Sequence, residues 1–79
     1  MNKATIETNS ELRMLRLPEV KQRVGLGRST IYEKIKHHQF PSPIKVGPRA
    51  VAWVSVEIVN WIQAQIAASR DANYAFQGS

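Results

Sequence analysis

The stretch from Leu17 to Phe40, LPEVKQRVGLGRSTIYEKIKHHQF, constrains the fold more than any other. Val20 and Val24 lie four positions apart with Leu17 one turn earlier, and Ile31 and Ile35 repeat the same spacing. At about 3.6 residues per helical turn, each set falls on one helix face. Between the two sets sits Gly25-Leu26-Gly27, a tight turn. Two helices this short cannot bury an apolar face alone, so they must pack against each other at an angle, with Leu26 filling the gap. The outline is a helix-turn-helix. The rest of the chain reads as support for the second helix and its exposed side.

The ends of these helices are written in the same residues. Pro18 suits a first turn, where its missing N–H is not needed, and Glu19 beside it favours the positive helix end. Gly25 accepts the left-handed conformation that closes a helix, so the first helix is expected over Pro18 to Val24. Gly27 caps the second helix, less strongly than Ser or Asp would. That helix is expected over Arg28 to His38, with Pro41 and Pro43 preventing continuation and Phe40 folding back onto the core. With Ile31 and Ile35 inward, Ser29, Glu33, Lys36 and His37 point outward. Thr30 and Lys34 take one flank and Tyr32 the other.

The remaining segments build around this unit. Residues 1–11 are polar apart from Met1 and Ile6 and are expected to form a flexible arm. Leu12 to Leu17 fits either a short strand or an extended lead-in. In PIKVGPRAVAWV, Ile44 and Val46 alternate with Lys45, and Val51 and Trp53 alternate with Ala52, around the turn Gly47-Pro48-Arg49. This reads as a β-hairpin with one apolar face leaning on the helices. Ser55 offers an N-cap to a third helix expected over Val56 to Ser69. On it Ile58, Trp61, Ile62, Gln65 and Ile66 share a face. Trp53 and Trp61 read as core residues. Residues 70–79 are expected to be a flexible tail, and its YAFQGS end resembles a protease-tag scar to which no function is assigned. The expected fold class is therefore α+β: a small winged helix-turn-helix over residues 12–69, three helices with a two-stranded β-hairpin wing.

Charge narrows the partners. The 79-residue chain carries net charge +5, but residues 13–49 hold nine Lys and Arg against Glu19 and Glu33, a local net of +7. A surface basic in one region suits a polyanion. There is no cysteine, no apolar run approaching the roughly 18 residues of a membrane span, and no apolar stretch typical of a signal peptide at the N-terminus. A cytoplasmic protein with no membrane partner is expected. No Cys/His/carboxylate cluster has metal-site spacing, GLG lacks the lysine and serine of a phosphate loop, and Ser29 has no base–carboxylate pair. The chain is expected to be no enzyme and to use no cofactor or metal.

Double-stranded DNA is the expected polyanion. The major groove admits one helix, and the second helix of a helix-turn-helix enters it N-terminal end first. That end is Arg28-Ser29-Thr30: Arg28 reaches a phosphate or a guanine, and the short Ser29 and Thr30 let the backbone come close. One turn on, Glu33 either accepts from a cytosine amino group or pairs with Lys34, Lys36 or a first-helix base. Lys34, Lys36 and His37 are positioned for the DNA backbone. Tyr32 either gives its hydroxyl to a phosphate or packs its ring against the wing. At the basic hairpin, Lys45 flanks the tip and Arg49 is the minor-groove candidate. Lys21 and Arg23 on the first helix face the backbone from outside.

Several pieces in order carry a family resemblance over about residues 14–66: RLPEV, the GL-RSTIY-K-I core, the F-P-P segment, the K-V-G-P-R-A wing with its Trp, and the final E-I-W-I helix. Together they resemble the AlpA family of small phage and prophage regulators, itself similar to MerR-type winged helices and phage excisionases. Many members have a basic residue at Glu33, an apolar one at Lys34 and a Ser at Gly27. The resemblance implies a DNA-binding protein with the second helix in the major groove and the wing in the minor groove, working in the bacterial nucleoid. It implies a transcriptional regulator of an integrase gene or an excisionase (recombination directionality factor), with an integrase or recombinase and further copies of itself on DNA as candidate partners. The alternative is a protein-interaction module that binds a recombinase or regulatory partner without DNA specificity of its own.

Overall fold

A computed structural model describes residues 12–75. The expected N-terminal arm (1–11) and the last four residues lie outside the described residues. The elements run β1 (Met14–Leu15), α1 (Leu17–Val24), α2 (Arg28–Lys36), β2 (Ile44–Gly47), β3 (Ala50–Val54) and α3 (Ser55–Ala75). The lead-in left open in the sequence is a strand. β1 pairs antiparallel with β3, Met14 opposite Val54 and Leu15 opposite Trp53, so the sheet has three strands in the order β1-β3-β2.

Leu15, Val20, Ile31, Phe40, Trp53 and Ile58 form the buried core, one residue from nearly every element, with Leu26 packed at its edge as expected. Two indole N–H groups tie the loop after α2 to this core: Trp53 donates to the Pro41 carbonyl at 2.9 Å, and Trp61 to that of Gln39 at 2.8 Å. Phe40 packs edge-on against Trp61, ring centroids 4.7 Å apart. Ser55 joins β1 to α3: its N–H donates to the Arg13 carbonyl at 2.8 Å, and its Oγ accepts from the Arg13 N–H at 2.9 Å.

The helix ends differ from expectation in instructive ways. α1 stops at Gly25, which takes φ 70° and donates to the Lys21 carbonyl, as read from the sequence. α2 stops at Lys36, two residues before the expected end. His38 takes φ 60° and donates to the Ile35 carbonyl at 3.0 Å, while Gln39 donates to that of Lys34 at 2.7 Å. This is a Schellman closure with histidine at the left-handed position that glycine usually fills. α3 runs to Ala75 rather than Ser69, taking in residues expected to be tail. Only its start touches the core: Ile58 is buried, Trp61 and Ile62 are half-buried, and Gln65 and Ile66 are exposed. Alanines 64, 67, 68, 72 and 75 are the strongest helix formers, which accounts for helix beyond the packed face.

The hairpin also departs from its reading. Lys45 lies opposite Val51 and Ile44 opposite Ala52, and the register shifts between Lys45 and Gly47, leaving Val46 as the extra residue. Paired residues share a face, so Ile44 sits on the side away from Val51 and Trp53. Ile44 and Val46 are exposed. Within the hairpin, the apolar residues that lean on the helices therefore come from β3.

These backbone angles set a stability test. Gly25→Ala forces an L side chain to φ 70° and should destabilise the domain by about 1–2 kcal/mol. Gly27 has φ −81° and open space where a Cβ would go, so Gly27→Ser should stabilise by a few tenths of a kcal/mol. His38→Gly should stabilise by about 1 kcal/mol. Thermal unfolding followed by circular dichroism reads all three; an unchanged Tm in Gly25→Ala would contradict the closure described for α1.

Candidate nucleic-acid interface

The start of α2 is positioned by what lies beneath it. Gly27 is extended, its carbonyl accepts from the Ile31 N–H at 3.0 Å, and Ile31 is fully buried. That anchor turns the opposite face outward: Arg28, Ser29, Thr30, Glu33, Lys36 and His37 are exposed, and Lys34 is half-buried. Tyr32 is half-buried on the wing side, its ring edge-on to Trp53 with centroids 6.2 Å apart. The Arg28 guanidinium lies over that ring, 5.3 Å from its centre, a cation–π contact that aims the side chain.

Two concave surfaces flank α2. On the wing side, a cleft of about 320 Å³ is lined by Arg16, Leu17, Pro18, Arg28, Tyr32, Arg49 and Val51. The starts of α1 and α2 and the hairpin turn thus converge there. On the other flank, Ser29, Thr30, Glu33, Lys34 and Gln39 line a depression of about 440 Å³. A larger groove of about 760 Å³ between the loop after α2 and α3 is lined by no Lys or Arg and carries Glu57, so it does not suit a polyanion. Arg28, Tyr32 and Arg49 are therefore brought together, as are Ser29, Thr30, Glu33 and Lys34. Lys21 and Arg23 on α1, Lys36 at the end of α2 and His37 just after it, and Lys45 on β2 line neither surface.

Arg16 was not among the candidates read from the sequence. Its Nε donates to the Val51 carbonyl at 3.1 Å, which lays it along β3 beside the wing. The local signal is a basic residue two positions before the α1 proline; its meaning depends on a partner 35 positions away. Gln39, also missed, enters the second depression through the turn at His38.

Glu19 and Glu33, the acids within the basic segment, are occupied. Glu33 pairs with His37, Nε2 to Oε2 at 2.9 Å and one helical turn away, rather than with Lys34, Lys36 or a base of α1. Both groups are exposed, and such pairs contribute little. Glu19 accepts from Arg23 Nη2 at 2.8 Å and from Arg13 Nη2 at 2.7 Å. Arg28 and Arg49 take part in no ion pair among the described residues. Among those residues there is also no group of three His, Cys, Asp or Glu that could hold a metal, and no helix long and apolar enough to cross a membrane.

The hydrogen bonds from Arg23, and then those from Arg13, hold the Glu19 carboxyl below its ordinary value. A carboxylate whose folded pKa is lowered adds stability above the unfolded pKa and loses it as pH falls through the folded value. Glu19→Gln should lower Tm near neutrality, and its Tm should fall less than wild type's between about pH 5 and pH 3. A parallel acid limb in both proteins, by circular dichroism at low salt, would remove Glu19 from the account.

The chain is similar to known phage and bacterial proteins. A family model described as prophage CP4-57 regulatory protein (AlpA) matches residues 13–66, more than half of the chain. An uncharacterized protein, ORF88, of Enterobacteria phage P4 is 46% identical over 55 residues, 70% of this chain. The chain covers 62% of that phage protein's length, less than two thirds of it. The DNA-binding transcriptional activator AlpA of Escherichia coli (strain K12) is 33% identical over 63 residues, 72% of this chain and 90% of that protein. No solved structure matches. The chain belongs to the prophage regulatory protein family described by AlpA.

Proposed function

We propose that this chain is a sequence-specific binder of double-stranded DNA from a phage or integrative element, acting without catalysis as an excisionase, as a regulator of the integrase gene, or as both. The observation that carries the reading is the convergence of Arg28, at the start of α2, and Arg49, at the wing turn, on one cleft that no acid lines. A relative named as a DNA-binding transcriptional activator supports the same reading. In it, the start of α2 enters the major groove and Arg28, Ser29 and Thr30 meet base edges and phosphates. Arg49 enters the minor groove, where a narrow A·T-rich stretch attracts arginine. Lys21, Arg23, Lys34, Lys36, Lys45 and His37 hold the flanking backbone. Glu33 leaves His37 to accept from a cytosine amino group.

A single winged domain binds weakly unless it is repeated along the DNA or tethered to a partner. Several copies at an attachment region, bending DNA at about 1–6 kcal/mol per short site, would make an excisionase; one copy at a promoter would make a regulator. α3 favours a partner as well. It continues beyond the core, exposes Val59 and Ile66, and has no charged residue from 58 to 69. An integrase or a neighbouring copy fits there.

Affinity measurements on duplexes from the element's attachment region and integrase promoter test the interface. Arg28→Ala should cost about 1–3 kcal/mol on the preferred site and relax base preference there. Glu33→Ala should tighten binding to random DNA and narrow the ratio between specific and random sites. Charge reversals at Arg28 and Arg49 should remove measurable specific binding. Specific binding that survives both reversals would contradict this interface.

A further inference from the structure

We propose that Arg16 seats the backbone phosphodiester that separates the two DNA grooves, a contact that rests on the DNA-binding reading above and adds a site to it. A helix in the major groove and a wing in the adjacent minor groove must straddle one sugar–phosphate strand. In this fold the start of α2 and the wing turn meet at one cleft, to which they bring Arg28 and Arg49. Arg16, the residue before α1, lines the same cleft.

Three features suit this cleft to a phosphate. Its cations come from three separate segments and no carboxylate lines it. The acid in the first turn of α1, Glu19, is not among the lining residues and is bound by Arg13 and Arg23. The Arg16 side chain is held through one atom only: Nε is spent on the Val51 carbonyl at 3.1 Å, which fixes the guanidinium plane and leaves the two Nη groups for a bidentate contact. Leu17, Pro18, Tyr32 and Val51 supply the apolar part of the wall. The α1 terminus itself adds little. Pro18 has no N–H, and the N–H groups of Glu19 and Val20 both donate to the Arg16 carbonyl at 3.0 Å. The guanidinium groups carry the attraction.

The test uses the whole chain and a fluorescent random-sequence duplex, with affinity measured by anisotropy over a range of salt concentrations. Arg16→Gln should reduce the slope of log affinity against log salt by about one. It should leave the ranking of duplex sequences unchanged, because phosphates carry no sequence information. Arg70→Gln, on the exposed part of α3, should leave the slope at the wild-type value. Wild-type slope in a folded Arg16→Gln protein overturns the phosphate seat while DNA binding stands. No affinity of the wild-type protein at low salt overturns the DNA-binding reading and this seat together. A readout that needs no variant covers the case in which Arg16→Gln fails to fold: the Arg16 guanidinium NMR resonances of the wild-type protein should shift on addition of duplex, and unmoved resonances overturn the proposal.

Discussion

The buried indole of Trp53 is the contact on which the relative placement of wing and helices depends. It is fully buried, pairs across the sheet with Leu15, meets the Tyr32 ring edge-on and donates its N–H to the Pro41 carbonyl. One side chain thus fixes β1, α2 and the loop after α2 to the strand that carries the wing. Truncating a buried tryptophan typically costs about 3–5 kcal/mol. Against the roughly 5–15 kcal/mol that holds a whole domain together, that is a large share for a chain of this size. Satisfying the indole N–H matters as well, since an unpaired buried donor adds its own desolvation cost.

From that anchor the proposed interface follows as a chain of positions. Trp53 backs Tyr32, Tyr32 holds the Arg28 guanidinium over its ring, and Val51, two residues along β3, holds Arg16. Of the arginines lining the cleft, Arg16 is thus oriented by β3 and Arg28 by a ring that β3 backs. In the proposed interface, reading by helix and wing would depend on how rigidly the hairpin is attached rather than on any single base contact. The acids within the basic region are both engaged by nearby bases, Glu19 with two arginines and Glu33 with His37.

Much of this was legible in the sequence where local chemistry decides. The α1 end at Gly25, the start of α2 after Gly27, the burial of Val20, Ile31, Phe40, Trp53 and Ile58, and the exposed α2 face all follow from spacing and turn residues. What was not legible depends on distant or unusual partners. β1 is only two residues long, and its identity as a strand comes from Val54 and Trp53, some 40 positions on. His38 adopts a conformation that the sequence signals only when glycine or asparagine is present. The hairpin register turns Ile44 away from the core because Lys45, not Ile44, lies opposite Val51; alternation within each strand cannot tell which faces align. Arg16 became visible as a site residue only when β3 lay beside it. α3 outran its apolar stripe because alanine propensity, not burial, carries its second half.

Footprinting on the DNA flanking the element's attachment site and on the integrase promoter asks whether helix and wing occupy adjacent grooves of one duplex. Methylation protection would report the major groove and hydroxyl-radical protection the backbone along the minor groove. A helix and wing that straddle one strand should give protected guanines in a major groove and a protected minor-groove window about half a helical turn, roughly 5 base pairs, to one side. Repeated, in-phase windows at the attachment site would place the protein with excisionases, and one window at the promoter with regulators. Absence of protection on either fragment at low salt, or protection confined to one groove, would contradict a helix and wing that straddle a DNA strand.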